Sequence, residues 1–303
     1  MQNKISTALT QIVKSSGYEI WTERVGSVTH PVVLLTSGAA AHARFWTDLF
    51  CGILNKNGYG VIRYDHRDVG LTTGPDFLDR PYTIADLAHD AAAILNCFGI
   101  SQAHVVGHSM GGIVTQLFAS MYPERTLSMT CICCGPAAAT ASTDIPLTPE
   151  EKTTLAETYS INDTNKPTEN FEESLPGFMR MWKRWNGTLP LDEDLVYAFT
   201  KEMYTRSAQK NLIKPHPHMR AVRLGLDTME ERRGLLQKIS VPTLVIQGEE
   251  DYLLVPRRGG IALAHELPQA KLELIPGMGH MFFNRECQEM LGRLIVDFLD
   301  MQK

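Results

Sequence analysis

The sequence lacks any apolar segment close to the roughly 18 residues that a membrane-spanning helix requires. Residues 1–10 contain a lysine but no apolar run of the kind that a secretory signal needs. A basic excess is also missing, because 34 Asp and Glu outnumber 29 Lys and Arg and the formal net charge is −5. Surfaces that bind nucleic acid or anionic membranes need such an excess. We therefore expect a cytoplasmic protein that binds neither nucleic acid nor membrane.

Patterns that bind metal are scarce as well. The six cysteines include a single C-x-x-C pair, Cys131 and Cys134, and a tetrahedral zinc site would need further ligands. This pair lies in the apolar stretch 129–134, which is typical of a buried strand where cysteine acts as a small apolar residue. His216 and His218 are flanked by prolines and have no evident partner ligands. We expect no metal and no cofactor.

What the chain does contain is an alternation of short apolar runs and helical patterns, repeated at its two ends. The apolar runs predict strands at 18–25, 31–36, 60–64, 103–106, 127–134, 242–246 and 271–275. The helical patterns between and after them predict helices at 45–54, 84–98, 110–121, 259–266 and 288–299. Strands that alternate with helices imply a mostly parallel sheet with helices on both faces, an α/β fold.

Between residues 135 and 239 this alternation stops. The stretch shows helical patterns at 171–185, 192–207 and 218–236. We expect a helical cap inserted into an α/β core. The predicted division is a core of residues 1–138 and 237–303 and a cap subdomain of residues 139–236. Such an insertion would cover the strand ends at which open α/β sheets bind ligands.

The segment Gly107-His108-Ser109-Met110-Gly111 has the pattern G-x-S-x-G, placed between a predicted strand and a predicted helix. A sharp strand-to-helix turn exposes the serine oxygen, and the flanking glycines permit the close backbone approach that this turn demands. The context indicates that Ser109 is a catalytic nucleophile.

A nucleophilic serine needs a base, and in this architecture the base is a histidine late in the chain. Two histidines follow the returning strand. His265 lies inside a predicted helix, whereas His280 lies in a glycine-rich loop directly after the strand 271–275. Because loops at the carboxyl ends of strands meet at one edge of the sheet, we expect His280 to be the base.

The acid that orients the base should lie between the serine and the histidine in the chain. Three carboxylates follow the strand 242–246, namely Glu249, Glu250 and Asp251. We expect Asp251 to serve because it lies deepest in the loop, with the two glutamates as alternatives.

An oxyanion that develops when a serine attacks a carbonyl group needs backbone N–H donors. One should follow the serine, at Met110, and the other should come from the small-residue loop after the strand 32–36, at Ala39. We further expect Gly38, His108 and Met281, next to these positions, to contact the substrate.

Ser109, Asp251 and His280 in these contexts resemble the α/β-hydrolase family over nearly the whole chain, and the stretch 64–70 resembles the family's D-x-R-x-x-G loop. We expect the charged residues of that loop to lock the turn by hydrogen bonds. Within the family the sequence is most similar to the aclacinomycin methylesterase group of serine esterases. The similar segments are 61–68, 105–111, 241–247, 275–280 and the cap stretch 185–188.

The resemblance implies the α/β-hydrolase fold and hydrolysis of a methyl or related carboxylic ester on an apolar scaffold, without a cofactor. Most of the family has His-Gly where this chain has Ser37-Gly38. The first oxyanion donor is therefore Ala39 or a residue on either side of it.

The cap is rich in aromatic residues and methionine, which favours a bulky apolar ester as the partner molecule. Trp182 and Trp185 are the leading candidates for the pocket wall, and only one should face inward if they share a helix. Two other functions remain open: cleavage of a C–C bond or lactone by the same triad, or non-catalytic binding of a small molecule. The sequence leaves the oligomeric state open between monomer and homodimer.

Overall fold

An eight-stranded sheet forms the centre of the computed structural model, which describes residues 8–206 and 217–303. Its strands lie in the order β1-β2-β4-β3-β5-β6-β7-β8. The pairings β1–β2 and β2–β4 are antiparallel, and all the others are parallel. The strands are β1 (Ala8–Ser15), β2 (Tyr18–Val25), β3 (Val32–Thr36), β4 (Gly60–Tyr64), β5 (Ala103–His108), β6 (Thr126–Ile132), β7 (Thr243–Gly248) and β8 (Ala270–Ile275).

Helices cover both faces of this sheet, as the alternating pattern predicts. Helices α2, α3 and α8 contribute to one buried apolar cluster, and α1 and α9 contribute to the other. The α-helices are α1 (Asp48–Lys56), α2 (Ile84–Cys97), α3 (Met110–Met121), α4 (Pro149–Thr164), α5 (Phe171–Trp185), α6 (Glu193–Thr205), α7 (Pro217–Asp227), α8 (Gly260–Glu266) and α9 (Arg285–Asp300).

Strand β3 shows why the central strands are rich in apolar residues. Val32 and Leu34 pack in the cluster with α2 and α3, whereas Val33 and Leu35 pack in the cluster with α1 and α9. Because successive side chains of a strand point to opposite faces, a strand covered on both sides buries apolar residues on both faces. This arrangement places the carboxyl ends of the parallel strands at one edge of the sheet.

Two elements were not predicted from the sequence. Strand β1 is an edge strand on which Leu9 and Ile12 are exposed, so it does not form a buried apolar run. Helix α4 buries only Thr158, so it has no apolar stripe, and its start depends instead on a capping box between Thr148 and Glu151.

The predicted helix at 218–236 is too long. Helix α7 ends at Asp227, and two short 3₁₀ turns follow it, Glu230–Arg232 and Leu236–Lys238. Between these turns Gly234 has a φ of +83°, a backbone conformation that interrupts a right-handed helix. The predicted helix at 192–207 corresponds to α6, and its last residue lies outside the described residues.

The four helices α4 to α7 lie between β6 and β7, in the interval where the strand alternation stops. Helix α5 packs against both α4 and α6. The division into a core and a cap at residues 138/139 and 236/237 stays a prediction. Over residues 8–206 and 217–303, no helix has the length and apolar character required to cross a membrane.

The cysteines of the apolar stretch 129–134 are buried, and Cys131 lies in β6. Burial raises the pKa of the Cys133 thiol well above its ordinary value, which disfavours the reactive thiolate. No cluster of three or more His, Cys, Asp or Glu with the arrangement of a metal site occurs in the part of the chain that the structure describes. His216 lies outside that part.

The loop after β4 is held by a buried ion pair. Arg67 Nε donates to Asp90 Oδ2 at 2.6 Å and its Nη2 donates to Oδ1 at 2.7 Å, while Ser15 Oγ donates to Oδ1 at 2.6 Å. The side chains of both ion-pair partners are almost fully buried. The charged residues here therefore lock the turn, as expected.

We expect Asp90→Ala to lower the free energy of unfolding by about 3–5 kcal/mol, because the substitution leaves the Arg67 charge buried without its partner. Urea denaturation followed by tryptophan fluorescence measures this loss. The matched control is Glu289→Ala, which breaks the exposed pair with Arg293 and should cost under about 1 kcal/mol. Equal losses in the two variants would contradict the expectation.

Candidate active site

Ser109 lies in a sharp turn between β5 and α3. Its φ of 53° and ψ of −123° are outside the regions that a non-glycine residue ordinarily adopts. The Ser109 N–H donates to the carbonyl of Ile132 at 2.9 Å, which holds the turn against the neighbouring strand. A Cβ at Gly107 would overlap the backbone of Gly111, so the turn requires glycine there. The strain is characteristic of a backbone that presents a side chain for chemistry.

A chain of two hydrogen bonds connects this serine to a histidine and a carboxylate. Ser109 Oγ lies 2.9 Å from His280 Nε2, and His280 Nδ1 lies 2.8 Å from Asp251 Oδ2. The carboxylate accepts a hydrogen bond from the Nδ1–H group, so Nε2 of the neutral ring carries a lone pair directed at the serine hydroxyl. The arrangement can therefore remove the proton from Ser109 during an attack.

Three further donors fix the Asp251 carboxylate. Oδ1 accepts hydrogen bonds from the backbone N–H groups of Leu253 at 3.0 Å and Leu254 at 2.7 Å. Oδ2 accepts one from the side-chain amide of Gln247 at 3.2 Å, in addition to the one from His280. These donors fix the direction of the carboxylate.

The alternative residues lie elsewhere. Glu249 is exposed, and the carboxylate of Glu250 accepts a hydrogen bond from Tyr252 at 2.9 Å. His265 is exposed on α8. Among the candidate acids and bases, the structure connects only Asp251 and His280 to Ser109 by hydrogen bonds.

The two predicted oxyanion donors lie beside the serine. Met110 is the first residue of α3, where the helix dipole favours negative charge. Ala39 lies in the loop after β3, and a Cβ on its neighbour Gly38 would lie 3.2 Å from the Cβ of Ser109. Neither the Ala39 nor the Met110 N–H donates to an acceptor among the described residues. Their assignment as oxyanion donors stays a prediction.

The loop that carries His280, residues 276–281, is here called the base loop. It pairs with the chain that follows α5: Gly279 N–H donates to the Asn186 carbonyl at 3.1 Å, and Met281 N–H donates to the Trp185 carbonyl at 2.8 Å. A Cβ at Gly279 would overlap the Trp185 carbonyl oxygen, so this approach needs glycine. The helical insertion is therefore joined directly to the segment that holds the base.

Of the two predicted pocket tryptophans, Trp185 approaches the triad. Its ring meets the His280 ring edge to face, with centroids 6.1 Å apart, and its Nε1 donates to Asn162 at 3.0 Å. Trp182 is 5% exposed and packs against Phe199 and other aromatic residues. The expectation that only one of the two rings faces a substrate pocket stays a prediction.

The remaining predicted contact residues are also adjacent to the triad. Gly38 lies against Ser109, and Met281, next to the base, is 4% exposed. His108 is 2% exposed, and its ring is turned towards the base loop. The contact of Gly38, His108 and Met281 with a substrate stays a prediction.

Gln247 was missed in the sequence, although it connects Asp251 to the start of α8. Besides its bond to Asp251, its Oε1 accepts a hydrogen bond from the N–H of Gly260 at 2.9 Å. The available signal was a polar residue at the end of β7, a strand in which every residue is buried. A polar side chain at such a position needs hydrogen-bond partners, so it indicates a nearby site.

Comparison with known proteins gives matches over most of the chain. A family described as alpha/beta hydrolase fold matches residues 31–284. Rhodomycin D methylesterase DauP of Streptomyces sp. (strain C5) is 29% identical over 292 residues, covering 89% of this chain and 92% of that protein. The putative carbamate hydrolase RutD of Caulobacter vibrioides (strain NA1000 / CB15N) is 32% identical over 277 residues, covering 89% of this chain and 90% of that protein.

A solved structure gives the same fold. The 2-hydroxy-6-oxo-6-phenylhexa-2,4-dienoate hydrolase of Rhodococcus sp. strain RHA1 superposes with a TM-score of 0.73 at 18% identity. The match covers 97% of this chain and 99% of that one. At this identity the likeness concerns the fold alone.

Proposed function

Because this chain belongs to the α/β-hydrolase family, we propose that it is a serine esterase that cleaves carboxylic esters of apolar molecules without a cofactor. The observation that carries the proposal is the hydrogen-bonded sequence from Ser109 Oγ through His280 to Asp251, at 2.9 Å and 2.8 Å. Such an arrangement activates a serine hydroxyl that is otherwise a weak nucleophile.

The proposed reaction has two stages, acylation of the serine and hydrolysis of the acyl-enzyme. Ser109 Oγ attacks the ester carbonyl while His280 Nε2 takes the hydroxyl proton, and Asp251 stabilises the resulting imidazolium. The N–H groups of Ala39 and Met110 bind the developing oxyanion. Collapse of this intermediate transfers the proton from His280 to the departing alcohol and leaves an acyl group on Ser109. Water, deprotonated by His280, then releases the acid and restores the serine.

The proposed substrate class is a methyl ester on a bulky apolar scaffold. Relatives at 29% identity are named methylesterases, which supports a small alcohol as the leaving group. The aromatic ring of Trp185 next to His280 supports an apolar acyl part. In this proposal the insertion of residues 139–236 forms a cap that excludes water from the acyl site.

A rapid-mixing assay with a p-nitrophenyl ester tests the class of reaction. A serine esterase releases a burst of p-nitrophenol of about one equivalent when hydrolysis of the acyl-enzyme is slower than its formation. A panel of methyl esters, lactones, carbamates and vinylogous 1,5-diketones then separates ester cleavage from the alternatives. If the protein binds members of this panel but hydrolyses none of them, it is a small-molecule receptor and the proposed enzyme function is excluded.

We expect Trp185→Ala to lower kcat/KM for bulky methyl esters by about tenfold relative to methyl acetate. Loss of about 50 Å² of apolar contact, at about 25 cal/mol per Å², corresponds to such a change. A series of methyl esters of increasing ring size measures the effect. The matched control is Trp182→Ala, which should reduce stability and leave the ranking of the esters intact. An unchanged ranking in Trp185→Ala would remove this residue from the proposed acyl site.

A further inference from the structure

His108 is the neighbour of the proposed nucleophile, and its ring contacts the base loop. The ring Nε2 lies 2.7 Å from the backbone carbonyl oxygen of His280. A carbonyl oxygen only accepts hydrogen bonds, so Nε2 must carry the proton and Nδ1 the lone pair. Among the described residues, no other group donates to this carbonyl. This hydrogen bond thus fixes the tautomer of the His108 ring and holds the backbone carbonyl oxygen of His280 in place.

The ring has little freedom to leave this position. It stacks on Phe45, with centroids 4.6 Å apart and an interplanar angle of 29°, and meets the edge of Phe282 at 5.5 Å. Burial lowers the pKa of His108 to about 3, so the ring is neutral near pH 7 and adds no charge next to the base.

The other side of the ring faces the loop after β3. Nδ1 has no hydrogen-bond partner among the described residues, and a Cβ added to Gly38 would lie 3.1 Å from it. The His108 ring therefore lies between the base loop and the loop that carries the proposed oxyanion donor Ala39. The backbone of His108 leads directly into the turn that carries Ser109, here called the nucleophile turn. Three segments of the site meet at one side chain.

We propose that His108 is a positioning residue that directs the His280 imidazole towards Ser109 by holding the His280 carbonyl. The proposal rests on the serine-esterase function proposed above. The direction of a side chain follows from its backbone, and a misplacement of about 1 Å in a catalytic group costs about 10²-fold in rate. The cap holds the base loop through Gly279 and Met281, on either side of His280. The His108 bond fixes the carbonyl of the base itself.

Three substitutions separate positioning from packing. His108→Phe keeps an aromatic ring on Phe45 and removes the donor. His108→Gln retains an amide N–H at about the reach of Nε2, whereas His108→Asn is one methylene shorter and does not reach the carbonyl. With a p-nitrophenyl ester, we expect kcat to fall about 10²-fold in the Phe and Asn variants with KM changed less than about threefold. The Gln variant should recover most of kcat.

The matched control is His104→Phe. His104 is another buried histidine of β5, with its Nδ1 2.8 Å from Ser128 Oγ. This control loses a buried hydrogen bond and should be less stable, with kcat unchanged. A kcat within about threefold of the native value in His108→Phe, or equal kcat values in the Gln and Asn variants, overturns the proposal.

A second readout does not depend on turnover. The proton between His280 Nδ1 and Asp251 gives a low-field proton resonance when the two groups are aligned. We expect this resonance to broaden or disappear in His108→Phe and His108→Asn and to remain in His108→Gln and His104→Phe. If the native protein cleaves no ester but the resonance follows this pattern, the proposed function fails and the positioning role stands. A resonance unchanged in all four variants overturns the positioning role.

Discussion

Replacing Ser109 by alanine should lower ester turnover by about 10³-fold or more while the protein stays folded. The change removes the atom that forms the acyl bond and leaves the His280–Asp251 pair and the N–H donors in place. Residual turnover above the uncatalysed rate then comes from binding and from the oxyanion donors alone. Steady-state hydrolysis of a p-nitrophenyl ester, with the enzyme concentration raised to detect slow turnover, measures the loss.

Covalent labelling tests directly whether Ser109 is the residue that forms the acyl bond. A fluorophosphonate should add one adduct to the native protein, and peptide mass spectrometry should place it on Ser109. Ser142→Ala is the matched control, because it removes a hydroxyl hydrogen-bonded to Glu266 and outside the triad, and it should keep full activity and labelling. An adduct on another residue, with Ser109 unmodified, would falsify the assignment of the nucleophile.

Asp251→Asn should lower kcat by about 10⁴-fold with little change of structure. The asparagine side chain can direct an N–H group at His280 Nδ1, which then accepts rather than donates. In that tautomer Nε2 carries the proton and has no lone pair for the Ser109 hydroxyl. The negative charge that stabilises the imidazolium is also lost. The pre-steady-state rate of p-nitrophenol release measures the acylation step directly.

Glu250→Gln is the matched control for the carboxylate. It removes a charge from the same loop, and its oxygen retains the ability to accept the hydrogen bond from Tyr252. We expect its activity to remain within about threefold of the native protein, because surface substitutions away from a site have small effects. The opposite pattern, with activity kept in Asp251→Asn and lost in Glu250→Gln, would move the acid to Glu250.

The sequence was most informative where local geometry admits few residue types. The nucleophile turn needs glycine at 107 because a Cβ would overlap Gly111, so the motif is visible without a structure. Strand β3 has four consecutive apolar residues, Val32–Leu35, because both of its faces are covered, so its place in the sheet could also be predicted. The position of His280 followed from its loop at the end of β8.

Other features depend on contacts between distant segments and left little trace in the sequence. Helix α4 has one buried residue, so no periodic apolar stripe marks it. The roles of Gln247 and His108 depend on which atom faces which loop after folding. His108 was predicted to contact the substrate, and only the folded structure shows its ring against the base loop.

The pairing between the base loop and the chain after α5 bears on how this family can be recombined. Thr188 N–H donates to the Gly277 carbonyl at 3.0 Å, and Gly187 forms an antiparallel bridge with Met278. An exchange of the helical insertion between relatives would therefore also replace half of this backbone ladder. We expect chimaeras to need matched segments 185–189 and 276–281 from one parent, because a crossover between them, for example in the 3₁₀ turn Leu236–Lys238, divides the ladder between two parents.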